Sequence, residues 1–219
     1  MDFEKARFNM IEQQIRPWNV LDTDILDLMF HVKREDFVSE ALRTLAFTDN
    51  ELPLPNGSLM LQPKIEARML QDLNVQPTDK ALEIGTGSGY VTALLASLAS
   101  HVYSVEIDAK QRERAAENLK QVRLQNITLL EGNGVSGLPA HAPYDVIFVG
   151  GSLPVVPDEL KQQLAIGGRM MIVTGDLPVM RALLIKRVSE QDFSSEEMFD
   201  TCVARLEHAE AVEPERFVF

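Results

Sequence analysis

One cysteine, Cys202, stands in a chain of 219 residues. An intramolecular disulfide is therefore excluded, and so is a zinc site built on several thiolates. Basic residues are also in short supply. There are 21 Lys and Arg against 33 Asp and Glu, a net charge of −12. A surface of that sign repels phosphate backbones, so nucleic acid is not the expected partner. No apolar run approaches the ~18 residues of a membrane helix. Met1-Asp2-Phe3-Glu4-Lys5 carries no basic segment followed by an apolar one. The expectation is a cytoplasmic protein without membrane contact. Internal repeats and low-complexity tracts are absent too. What is present is ordinary globular composition, with 45% apolar residues. That is enough to bury a sizeable core, as one α/β domain with additions or as two small domains.

The spacing of apolar residues predicts an amphipathic helix over residues 2–16, with Phe8, Ile11 and Ile15 on one face. Pro17 and Asn19 end it. A second helix is expected over 22–32, with Ile25, Leu28 and Met29 apolar. A loop follows from Asp49 to Gln62, carrying Pro53, Pro55 and Gly57. Pro63 suits the first turn of a third helix, where its missing N–H costs nothing. From Lys80 the rhythm changes. Strands at 81–84, 101–106, 127–130, 144–149 and 169–173 alternate with helices at 89–99, 108–123 and 157–164. Such alternation predicts a parallel sheet covered by helices on both faces. Two more strands, 183–188 and 198–206, are expected around the polar stretch 189–197. The acidic tail 207–219 ends in Phe217-Val218-Phe219, either an anchor that packs back or a frayed end.

Glu83-Ile84-Gly85-Thr86-Gly87-Ser88-Gly89 joins the first of these strands to its helix. Glycines there allow positive φ and close approach of a ligand to the backbone. The spacing is G-x-G-x-G. The last glycine of the dinucleotide fingerprint G-x-G-x-x-G would fall at Tyr90, so a pyrophosphate is not the natural guest. S-adenosylmethionine (SAM) has no phosphate, and Glu83 can meet its cationic amino-acid end. Glu106 ends the second strand, 21 residues beyond Gly85. A carboxylate there can accept both ribose hydroxyls. Asn133 and Gly134 follow the third strand, where an Asn amide either bonds the adenine edge or closes a turn. Gly150-Gly151-Ser152 follows the fourth strand, facing the transferring methyl. All four lie at carboxyl ends of strands, where open α/β sheets bind ligands. The cofactor-binding set is thus Glu83, Gly85, Thr86, Gly87, Ser88, Gly89, Glu106, Asn133 and Gly134, with no metal. The fold class is α/β, a class I SAM-dependent methyltransferase with a Rossmann-like doubly wound sheet. Residues 1–78 form an N-terminal helical cap with a loop, and 79–219 the SAM-binding part, together one unit.

Leu82-Glu83-Ile84-Gly85-Thr86-Gly87-Ser88-Gly89-Tyr90 and Ser104-Val105-Glu106 resemble the two SAM motifs of the protein-L-isoaspartate O-methyltransferase family. Met10-Ile11-Glu12-Gln13-Gln14-Ile15 and Arg34-Glu35-Asp36-Phe37-Val38 are similar to that family's helical cap. Leu52-Pro53-Leu54-Pro55 and Gln62-Pro63 resemble its substrate loop, so the likeness spans about residues 8–175. It implies a protein or peptide substrate, methylated on the free α-carboxylate of an L-isoaspartyl residue. Such a carboxylate is already ionised at neutral pH and needs no general base. Catalysis would come from alignment and from dehydration of opposite charges.

The chain departs from the family around the expected acceptor. The family's Gly-Gln-Thr-Ile-Ser loop reads Gly57-Ser58-Leu59-Met60-Leu61 here. Leu61 holds the position of the family's Ser, and Ser58 that of its Gln. These two are the candidate catalytic positions, with Ser152 a further hydroxyl. Each charged hydrogen bond lost from a buried carboxylate costs roughly 1.5–3 kcal/mol, so two losses weaken binding on the order of 10²-fold or more. The family's C-terminal Arg-Phe-Val-Pro-Leu strand appears as Cys202-Val203-Ala204-Arg205-Leu206. Two alternatives therefore stand beside isoaspartyl methylation. One is a methyltransferase with a different, more apolar acceptor; the other is a SAM-binding module without turnover.

Overall fold

The structure, a computed structural model, describes residues 1–212. The terminal Phe217-Val218-Phe219 lies outside the described residues. Helix α1 (Phe3–Met10) is capped by Asp2, whose carboxylate accepts the Lys5 N–H at 3.1 Å. The chain then widens into a π turn, Ile11–Ile15, and tightens into a 3₁₀ turn, Arg16–Trp18. Pro17 has no N–H to give, so the regular ladder expected to residue 16 cannot run up to it. The buried stripe is Arg7, Met10, Ile11 and Ile15, while Phe8 is 55% exposed. Phe8 was expected inside. Arg7 takes the inner position because its partner Glu35 is buried with it.

Helices α2 (Thr23–His31) and α3 (Pro63–Leu73) complete the cap. Asp22 caps α2 through the Asp24 and Ile25 N–H groups, and Pro63 opens α3 as expected. Between them a two-stranded ribbon, β1 (Leu52–Pro53) and β2 (Leu59–Met60), carries the loop tip 54–58.

The main sheet holds β3 (Lys80–Ile84), β4 (His101–Glu106), β5 (Ile127–Glu131), β6 (Tyr144–Leu153), β7 (Leu164–Asp176), β8 (Val179–Arg187) and β9 (Phe193–Thr201). Their order is β5-β4-β3-β6-β7-β8-β9. Strands β3 to β7 run parallel, and β8 and β9 join antiparallel. Helices α4 (Tyr90–Leu98), α5 (Ala109–Leu119) and the short α6 (Asp158–Gln162) connect them. The order turns back between β3 and β6, which opens a crevice at their carboxyl ends. One apolar cluster runs from Met10 in the cap through Leu94 of α4 to Val173 and Val203, so cap and sheet share a core. A second cluster, with Leu82, Ile147, Met170 and Leu160, fills the other face.

Three boundaries differ from expectation in ways that shape the crevice. Strand β6 continues to Leu153, with a slip in register between Phe148 and Ser152, so Gly150-Gly151-Ser152 is strand rather than loop. The helix expected over 157–164 stops at Gln162, because Leu164 already pairs with Tyr144. The last strand among the described residues is Phe193–Thr201, not 198–206. Ser194, Ser195, Glu196 and Glu197 face solvent on this edge, a polar pattern that reads as loop when edge position is unknown. Residues 202–206 instead leave the sheet as a strap across the end of β6. Ser152 donates its N–H to the Ala204 carbonyl at 2.8 Å, and Leu206 donates back to the Ser152 carbonyl at 3.1 Å. Among the described residues no helix is long and apolar enough to cross a membrane.

Candidate active site

The carboxyl ends of β3, β4, β5 and β6 surround a cleft of about 360 Å³. That size is at the lower end of ordinary ligand pockets. Its floor is the β3–α4 turn. Gly85 and Gly87 hold φ of +86° and +54° there, and Leu54 of the ribbon tip lies 3.3 Å from where a Gly87 Cβ would stand. Gly150 closes the floor from β6. A Cβ on it would sit 2.9 Å from the Gly85 carbonyl oxygen and 3.1 Å from that of Ile84. Backbone cannot yield as a side chain can, so only glycine fits. Glu106 forms one wall. Its Oε2 accepts the Gly87 N–H at 2.8 Å and its Oε1 the Asp108 N–H at 3.2 Å. Burial pushes its carboxyl above the ordinary value, and these N–H groups pull it back. Each oxygen keeps further acceptor capacity toward the cleft.

A buried polar cluster lies below the turn, around a space of about 30 Å³. Glu83 is 1% exposed, and its Oε2 accepts from Thr92 Oγ1 and Ser104 Oγ, both at 2.5 Å. Ser104 also pairs with the Thr86 hydroxyl at 2.6 Å, which ties the turn to β4. Burial pushes the Glu83 carboxyl up to about 8, against the pull of Ser104 and Thr92 and with the help of Glu106 and Glu66. Glu66 and Arg34 form a buried pair beside it, and burial lifts Glu66 to about 7 despite the guanidinium. Arg34 Nη2 also donates to the Leu61 carbonyl at 2.6 Å.

Between about 4.5 and 8 the folded protein keeps a proton on Glu83 that the unfolded chain has lost. Stability from this group is complete below 4.5 and drains away as pH rises to 8. Glu83→Gln keeps an acceptor for both hydroxyls and removes the titration. Its Tm relative to the parent therefore rises between pH 5 and pH 8 and levels off above, as read by thermal melts across buffers. A difference that is flat with pH contradicts this.

Of the expected site residues, Ser58, Gly85, Gly87, Glu106, Asn133 and Gly134 line the cleft. Glu83, Thr86, Ser88 and Leu61 line the small space beneath instead. Gly89 is the N-cap of α4 and packs on Ala115 and Leu119 of α5. Asn133 Oδ1 accepts the Val135 N–H at 3.0 Å, closing its own turn and leaving the amide nitrogen outside that bond. The Ser58 hydroxyl donates to Asn56 Oδ1, and Ser152 is fully buried with its hydroxyl on the Val203 carbonyl. Sequence reasoning missed the strap. Ala204, Arg205, Leu206 and Glu207 all line the cleft, and Leu206 rests on Gly85 and Gly151. Gly151 was the available signal, since a Cβ there would stand 2.7 Å from the Leu206 side chain.

The family model described as protein-L-isoaspartate(D-aspartate) O-methyltransferase (PCMT) matches residues 5–203. Protein-L-isoaspartate O-methyltransferase 1 of Geotalea uraniireducens is 40% identical over 190 residues, 86% of this chain and 87% of that protein. The protein-L-isoaspartate O-methyltransferase of Protochlamydia amoebophila is 42% identical over 183 residues, 84% of this chain and 86% of that one. A solved Plasmodium falciparum structure given the same assignment, in complex with S-adenosyl-L-homocysteine, has a TM-score of 0.80. At 21% identity over 94% of this chain and 99% of that chain, that likeness concerns the fold. The match spans the cap, the glycine turn and the sheet up to the edge of the strap, and so the chain belongs to the protein-L-isoaspartate O-methyltransferase family.

Proposed function

We propose that this protein is a SAM-dependent O-methyltransferase acting on the α-carboxylate of L-isoaspartyl residues in damaged proteins and peptides. The observation that carries the proposal is the joining of Gly85, Gly87 and Glu106 on one cleft, with Glu106 bonded to the Gly87 N–H. These residues fit SAM. The open turn accepts the amino-acid end, Glu106 takes the ribose hydroxyls, and Asn133 and Gly134 border the base. Thr86, Ser88, Gly89 and Glu83 serve from beneath, by holding the turn rather than by touching the ligand. Residues 1–78 supply the ribbon on the acceptor side, residues from 79 onward the cofactor side, and the strap at 204–207 borders both. The net charge of −12 favours a peptide over nucleic acid as partner.

When bound, SAM supplies an electrophilic methyl group on a sulfonium. The chain's own residues have little proton chemistry to perform, because the acceptor carboxylate is ionised at neutral pH. Their work is to align and to exclude water. Leu54, Leu59 and Leu206 close over the turn from the ribbon and the strap. A second reading, transfer to a more apolar acceptor, is favoured by Leu59 standing on the cleft where the family has a hydroxyl residue.

Transfer of labelled methyl from SAM to an isoaspartyl peptide, set beside its aspartyl twin, tests the proposal. Preferential labelling of the isoaspartyl peptide is the expected result; equal or absent labelling overturns it. Leu61→Ser tests whether the leucine is a lost substrate contact. Leu61 is only 6% exposed and pinned through its carbonyl by Arg34. A serine hydroxyl there is not delivered to the cleft, so the variant should change activity on the isoaspartyl peptide by less than about threefold, well below one charged hydrogen bond. A gain on the order of tenfold would show instead that the leucine is a broken substrate contact.

A further inference from the structure

The acceptor carboxylate needs a partner of opposite sign, and the usual candidates are turned away. Leu59 and Leu61 bring no hydroxyl, Ser58 is bonded to Asn56, and Ser152 to Val203. The lining also includes the acids Glu106 and Glu207. Among the described residues that line the cleft, Arg205 is the one cation. It sits on the strap, whose place is fixed by the bridge between Ser152 and Arg205. Its Nη2 donates to the Gly175 carbonyl at 2.7 Å and to Asp176 Oδ1 at 2.5 Å. A guanidinium has five donors in a fixed fork, and those on Nε and Nη1 lie outside these two bonds. The side chain is 32% exposed. A solute can therefore reach it without a large desolvation cost.

We propose that Arg205 binds the acceptor carboxylate at the mouth of the cleft, in place of the hydroxyls that the ribbon has exchanged for leucines. The inference rests on the carboxyl acceptor of the preceding section. A carboxylate offers about four acceptor sites, so a guanidinium on one side leaves a lone pair for the methyl. Asp176 shares the guanidinium and keeps it from holding the acceptor too tightly to react.

The test is calorimetric binding to the protein loaded with S-adenosylhomocysteine. The probes are an isoaspartyl hexapeptide and the same peptide with its α-carboxylate replaced by a carboxamide. The parent protein prefers the carboxylate peptide. Arg205→Gln weakens that peptide by about tenfold or more, the scale of one charge-assisted hydrogen bond. It leaves the carboxamide peptide and S-adenosylhomocysteine unchanged, while Arg205→Lys keeps part of the preference. An Arg205→Gln protein that still discriminates the two peptides overturns the proposal. So does one that loses both peptides and S-adenosylhomocysteine together, which marks a structural role. Methyl transfer by the parent protein is measured alongside. Arg205-dependent binding without transfer sinks the enzymatic reading and keeps Arg205, whereas transfer indifferent to Arg205→Gln does the reverse. A parent protein that binds neither peptide overturns both.

Discussion

Glu106→Ala is expected to weaken S-adenosylhomocysteine binding by about 10² to 10⁴-fold, because two hydrogen bonds to a charged group at roughly 1.5–3 kcal/mol each are lost together. The carboxylate has a double task. It lines the cleft, where the proposed partners are two ribose hydroxyls, and it already receives the Gly87 and Asp108 N–H groups. Alanine removes both, so the turn loses its tether as well as its ligand contact. Glu106→Gln separates these tasks. An amide keeps one acceptor and sets its NH₂ against either Gly87 N–H or the ribose, so its loss falls between those of the parent and the alanine variant. Calorimetric titration gives the affinity, and a melt without ligand gives the tether. An affinity loss under tenfold for Glu106→Ala would remove Glu106 from the cofactor site.

Arg34→Met should be the most destabilising single change in the cap. Arg34 is fully buried and Glu66 1% exposed, with the guanidinium 5.3 Å from the Tyr90 ring centre. Removing the cation strands a buried carboxylate, which costs about 3–5 kcal/mol. For a chain of this size that lowers Tm by roughly 6–20 °C. The carboxylate has an escape by taking a proton, and burial already holds Glu66 at about 7. Without Arg34 its folded pKa rises further, so above pH 7 the variant goes on losing a Glu66 contribution that the parent has already given up. The deficit therefore widens from pH 6 to pH 8. Arg34→Met combined with Glu66→Leu should recover much of the loss, since an apolar pair leaves no stranded charge. A Tm for Arg34→Met within about 2 °C of the parent, under one kcal/mol, would mean the pair contributes little.

These two residues mark where the sequence was transparent and where it was not. Glu106 was readable because its setting is local. An apolar strand ends, a glycine turn stands 21 residues earlier, and the alternation of strand and helix puts both on one edge. The same locality made β3, β4 and β5 legible to within a residue or two. Arg34 and Glu66 were opaque as a buried pair, since a charge satisfied by a distant partner breaks the rule that polar residues lie outside. Arg7 did the same to the first helix, displacing Phe8 from the face that periodicity gave it. Glu83 stands at the right place along the chain, yet Thr92 and Ser104 draw its carboxylate inward, and neither is adjacent to it in sequence. The strap was hidden for a related reason. Residues 202–206 look like strand, but their hydrogen bonds go to Ser152, an address that no pattern within the segment encodes.

That address has a kinetic side. The turn at Gly85 and the side chain of Leu206 that rests on it are brought together across more than half the chain. Contacts of such separation form late, because loop closure must be met before they give anything back. The glycine turn, the β3–β4 pairing and Glu106 can assemble early from neighbours. The lid cannot, since β7, β8 and β9 must first stack in order to carry residues 202–206 back over β6. Tight ligand capture is therefore expected to be the last property to appear on refolding, because the strap is the last wall of the cleft to arrive.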